Sequence, residues 1–186
     1  GQHPGEDRVD PQLLRHGPCH RLGVPGEHHH LHPEGVEPVT GFDVERYLGR
    51  WYEIARLDHA FERGLVNVTA DYSLEEDGRV RVINKGYRPA DDQWETAEGV
   101  AAFVGAADVG RLKVSFFGPF YGGYNIIALD KAAYQYALVC GPSRSYLWIL
   151  ARERHLPADT LENLLVRARE AGFATDVLIF PGGEAP

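Results

Sequence analysis

Hydrophobic and polar residues alternate along most of the chain from position 51 onward. Val66, Val68, Ala70, Tyr72 and Leu74 fall on one face of an extended segment, and Arg79 to Tyr87 alternates in the same way. Between them, Glu75-Glu76-Asp77-Gly78 is a hairpin signal. The same reading predicts strands over 51–57, 95–104, 111–117, 124–129, 136–140 and 146–151, with an aromatic loop at Gly118 to Gly123. No helical stripe separates these eight strands. Strands joined by hairpins are antiparallel, and eight of them close naturally into an up-and-down barrel. The fold class is therefore all-β, an eight-stranded antiparallel up-and-down β-barrel, with one C-terminal α-helix packed outside.

The helix is marked by Leu161, Leu164, Leu165 and Ala168 at helical spacing, with Asp159 or Thr160 as cap and Gly172 as stop. Asp176 to Phe180 reads as a short closing strand. Within the barrel, Val68, Ala70, Val82, Val100, Ala102, Val114, Phe116, Ile126 and Leu138 are expected to point inward. Small residues there leave a hollow suited to an apolar ligand. The same residues would equally fill a solid barrel, and periodicity leaves the two readings open. Asn84, Tyr124, Tyr146 and Trp148 add polar tips to that interior, a mixture that suits an apolar body with a polar head.

Residues 1–40 break the pattern. They hold seven of the nine His and six of the twelve Pro, and no Phe, Trp, Tyr or Ile. Such a segment buries too little to offset its ordering entropy and is expected to be a disordered or loosely attached arm. The expected organisation is an arm at 1–40, a barrel domain at 41–181 and a tail at 182–186. With 19 basic and 27 acidic residues the net charge is −8. That balance counts against a nucleic-acid partner. No apolar run approaches the roughly 18 residues of a membrane span. There is no Met, even at position 1, so the chain reads as processed, truncated or engineered.

Other candidate chemistry is weaker. His28, His29, His30 and His32 invite a metal reading, but no rigid ligand spacing accompanies them, so no metal or cofactor is expected. Cys140 has no His nearby and reads as a buried structural thiol, with a nucleophile as the alternative. The adjacent Asp58 and His59 read as a loop at the barrel rim. Asn67-Val68-Thr69 matches a glycosylation acceptor but lies inside a strand. The rings of Phe117, Phe120, Tyr121 and Tyr124 could touch a membrane surface or a second subunit in a homodimer.

Gly49-Arg50-Trp51 opening the first strand resembles the Gly-x-Trp signature of the lipocalins. Tyr146 to Arg152 resembles that family's last strand with its signature Arg. Ile83 to Tyr87 and Val114 to Tyr124 are similar to the bacterial lipocalin (Blc) and apolipoprotein D group. The family's Asp-containing middle motif is degenerate at Asp130, with Tyr134 and Tyr136 both available as its Tyr. The resemblance implies that Trp51 plugs the closed end with Arg152 across its face, so that Gly49, Trp51 and Arg152 are structural. It implies a non-enzymatic binder of fatty acids, lysophospholipids or similar amphiphiles, with ligand contacts at Val68, Asn84, Val100, Val114, Phe116, Tyr124, Ile126, Leu138, Tyr146 and Trp148. It also implies a bacterial envelope address, periplasm or outer membrane, through an acylated Cys. Cys19 has no apolar segment before it, so no signal peptide or lipobox is readable.

Overall fold

The computed structural model describes residues 31–182. Cys19 and three of the four candidate metal ligands (His28, His29 and His30) lie outside the described residues. The strands are β1 (Gly49–Arg56), β2 (Val66–Leu74), β3 (Val80–Arg88), β4 (Gln93–Phe103), β5 (Arg111–Phe117), β6 (Phe120–Leu129), β7 (Tyr136–Cys140) and β8 (Leu147–Ala151). Each pairs antiparallel with the next, and β8 returns to β1, so the sheet closes into a barrel. The Glu75 to Gly78 turn closes the β2–β3 hairpin, with the Gly78 N–H donating to the Glu75 carbonyl at 3.0 Å.

Apolar side chains form two layers. Inside the barrel lie Trp51, Tyr72, Val80, Val82, Ala101, Leu112 and Val139. Outside, helix α2 (Ala158–Glu170) lays Leu164 and Ala168 over Leu138, Cys140, Leu147 and Ile149. One short element finishes the closed end. The single-turn helix α1 (Val44–Tyr47) is capped by Asp43, whose carboxylate accepts from the Glu45 N–H at 3.0 Å.

Several expectations change. The two-residue turn Gly118–Pro119 replaces a longer aromatic loop, because β6 starts at Phe120. Helix α2 begins at Ala158, ahead of both expected caps; Pro157 stands at its N-cap, and no side chain caps it. The closing strand is absent. Thr175–Val177 is a 3₁₀ turn, and only Ile179 bridges to Arg56. Val177 and Phe180 stay exposed, and Pro181 has no N–H to extend a ladder. Residues 31–40, expected within the loose arm, pack on the barrel. The Val39 N–H donates to the Ile126 carbonyl at 2.8 Å, and Val36 is buried.

The closed end is organised around Trp51. Its indole N–H donates to the Tyr47 carbonyl at 2.8 Å, and the Arg152 guanidinium stands 4.0 Å from its ring centroid. Arg152 also donates to the carbonyls of Arg46, Arg50 and Tyr134. Gly49 has φ +91°, a conformation that side-chain-bearing residues rarely adopt, which is the physical reason for Gly in this motif. Tyr134 is the buried Tyr of the middle motif. Its hydroxyl accepts from the Asp43 N–H at 3.0 Å, beneath Arg46.

Candidate functional site

The barrel is hollow. A cavity runs from the mouth inward, walled mostly by apolar side chains. Its wall comes mainly from alternate residues of β2, β3, β5 and β8, which is why the two-residue period located most of it. Val68, Asn84, Val114, Phe116, Tyr124 and Trp148 all line it, as expected. Ala70, Val80, Val82, Ala101, Leu112 and Leu150 supply further small or branched surface.

Four expected contacts lie elsewhere. In β4, Ala101 stands opposite Val114 and so faces inward, which turns Val100 outward, opposite Arg81. Glu98, two residues earlier on Val100's face, pairs with Arg81 at 2.6 Å; that charge was the available signal. Leu138 faces α2, because in the wholly apolar strand β7 it is Ala137 and Val139 that point inward. No polar residue in β7 marked the parity. Ile126 sits in the packed inner core and not on the cavity wall. Tyr146 precedes β8 and stacks at the rim, 6.2 Å from the Trp148 ring and 5.7 Å from His59.

The polar parts of the cavity were only partly legible. Toward the closed end, the Tyr124 hydroxyl is 2.8 Å from both the Tyr47 and the Tyr72 hydroxyls. Burial raises the pKa of all three, so the cluster stays protonated and neutral. Tyr47 comes from α1, a four-residue helix too short to leave a periodic trace.

At the mouth the loop between β1 and β2 folds inward and carries Glu62 to the cavity wall beside Glu53. Arg56 Nη1 donates to Glu53 Oε1 at 2.6 Å, and Nη2 donates to the carbonyls of Glu62 and Leu65. The Trp148 indole N–H donates to Glu62 Oε2 at 3.0 Å, and His59 Nε2 lies 2.9 Å from the same oxygen. Burial, reinforced by the nearby Glu62, pushes the Glu53 carboxyl well above the usual range, against the pull of Arg56. Burial also lifts Glu62, but His59, Trp148 and Arg56 together outweigh it and bring its pKa below the usual value. The sequence offered one clue, a charged residue at 53 on the same alternation as Trp51.

The remaining candidates separate clearly. Asp58 pairs with Arg63 at 2.9 Å and His59 with Glu62, so the adjacent Asp and His do not act on each other. Cys140 is fully buried under α2, and burial pushes its thiol up to about 12, which leaves the nucleophile alternative without a thiolate. Asn67 takes φ +51° at a β-bulge, inside the β2–β3 ladder. Phe117 and Phe120 stand 72% and 78% exposed at the mouth side, with Tyr121 beside them and Tyr124 turned inward.

Residues 42–182 match the family model described as a lipocalin-like domain. The chain is 55% identical over 148 residues to the outer membrane lipoprotein Blc of Citrobacter freundii, covering 80% of this chain and 83% of that protein. It is 36% identical over 146 residues to apolipoprotein D of Rattus norvegicus, covering 75% and 76%. Insecticyanin from the tobacco hornworm Manduca sexta shares the fold, with a TM-score of 0.67 at 20% identity over 82% of this chain and 87% of that one. A closed eight-stranded barrel, its Trp51–Arg152 closed end and these matches together make this chain a member of the lipocalin family.

Proposed function

We propose that this protein binds and carries single-chain lipids, such as fatty acids, lysophospholipids or similar amphiphiles, in the barrel cavity, without catalysis. One observation carries the reading: a mostly apolar cavity inside a closed barrel, with polar groups gathered at its mouth and floor. The driving force is apolar burial, about 25 cal/mol per Å², which an alkyl chain supplies without specific contacts. The relatives named outer membrane lipoprotein support a location in the bacterial envelope. The exposed rings of Phe117 and Phe120 suit contact with a membrane surface during loading.

The test is a fluorescence titration of delipidated protein with oleate and with a lysophospholipid. Trp148 lines the cavity and is bonded to Glu62, so its emission should shift on filling. Trp148→Phe should abolish most of the change. A flat titration with folded protein, confirmed by a second displacement assay, would sink the proposal.

A further inference from the structure

The cavity's polar groups are unequal in kind. Glu53, Glu62 and Asn84 all line it, and the Asn84 Oδ1 is buried with no hydrogen-bond partner. No Arg, Lys or His among the described residues lines it. Two basic side chains stand behind the carboxyls and both are engaged: Arg56, 1% exposed, holds Glu53 and two carbonyls with its terminal nitrogens, and His59 Nε2 lies 2.9 Å from Glu62 Oε2. Glu53 is itself only 8% exposed, and Arg56 engages one of its two oxygens.

An anionic head group entering here would meet two carboxyl groups and no free cation. Like charges brought together out of water are disfavoured strongly. A protonated amine or a hydroxyl would meet acceptors with capacity to spare. Resting on the carrier reading above, we infer that the mouth of the cavity selects single-chain amphiphiles whose head carries an ammonium or hydroxyl donor, seated against Glu53 and Glu62, over fatty-acid anions of equal chain length. The acyl chain supplies affinity and the carboxyl pair supplies head-group choice. The raised Glu53 carboxyl fits this picture, since an incoming ammonium would take the place of its proton.

The test compares three probes of one chain length, dodecanol, dodecylamine and dodecanoate, by calorimetric titration of the full chain at neutral pH. Dodecanol reports the cavity alone. The expected result is that dodecanol binds and that dodecylamine binds at least about tenfold more tightly than dodecanoate. In E53Q/E62Q the ratio should fall to near one, while dodecanol binding persists. An amine preference that survives in that variant would reflect the protein's overall negative charge and would overturn the inference. If the double variant does not fold, the wild type is titrated at high salt, which screens surface charge but not a buried pair. Loss of the preference there would equally overturn it. Dodecanol binding with equal amine and carboxylate affinity removes the head-group selection and leaves carriage standing. If dodecanol itself does not bind, the carrier reading fails and this inference falls with it.

Discussion

Replacing Arg56 with Met should be among the most damaging single changes at the mouth, and the structure says why. The guanidinium is fully enclosed, with Nη1 2.6 Å from Glu53 Oε1 and Nη2 at 2.8 and 3.2 Å from the Glu62 and Leu65 carbonyls. Removing it orphans a buried carboxyl beside a second one and releases two carbonyls that tie the β1–β2 loop down. Breaking one side of a buried ion pair costs about 3–5 kcal/mol, a large share of a total stability of about 5–15 kcal/mol. With a urea slope of about 1–3 kcal/mol per M, the unfolding midpoint should drop by about 2 M. Glu53→Gln should cost less, about 1–2 kcal/mol, because Glu62 remains to balance Arg56 and Gln can still accept. The double variant should recover part of the Arg56→Met loss, since no charge is then stranded. The pH dependence has a definite sign. A carboxyl raised on folding supports stability below its ordinary value of 4.5 and loses that support as pH rises through its folded value. Glu62, lowered on folding, loses support only as pH falls, so it adds no pH dependence above its ordinary value of 4.5. The Arg56→Met penalty should therefore grow as pH rises above 4.5. A loss under about 1 kcal/mol, or a double variant no better than Arg56→Met alone, would refute the assignment of a buried charge balance.

Two further outcomes test other parts of the molecule. Arg152→Lys keeps the charge but cannot span Trp51 and three carbonyls at once, so urea unfolding should show a loss of about 1–2 kcal/mol; wild-type stability would show that charge alone matters there. Gly123→Ala would place a Cβ 1.8 Å from the Leu31 carbonyl oxygen, which Asn125 Nδ2 holds at 2.6 Å. Hydrogen exchange at residues 31–40 should accelerate while the barrel keeps its protection, and unchanged protection at Val39 would refute the close approach.

The fold was legible because each strand carries its own two-residue period and each hairpin its own turn chemistry. β2 and β5 were bounded correctly because polar residues alternate through them, fixing the parity. The cavity list failed where that marker was missing. In β7 both faces are buried, one inside the barrel and one under α2, so Leu138 and Val139 look alike in sequence. In β4 the small residues around Val100 blur the alternation, and only Glu98 shows which face is wet. Glu62 was out of reach for another reason. It belongs to a loop, and loops have no period from which to infer an inward-facing side chain.

The two ends of the barrel use arginine for different purposes. Arg152 lies across the outside of Trp51 and takes backbone carbonyls as partners, an arrangement that closes the barrel without placing a charge in the cavity. Arg56 is buried in the wall beside two cavity carboxyls, where an apolar replacement set of similar volume could be as stable or more so. Packing at the closed end needs no ligand to explain it. The mouth does, because burial works against the charged form of Glu53, and stability alone gives no reason to keep that carboxyl facing the hollow. If an apolar triple substitution of Glu53, Arg56 and Glu62 proves as stable as the wild type yet loses discrimination among dodecyl head groups, then the polar mouth exists for selection and not for folding. If it unfolds, the cluster is structural, and head-group choice is a by-product of it.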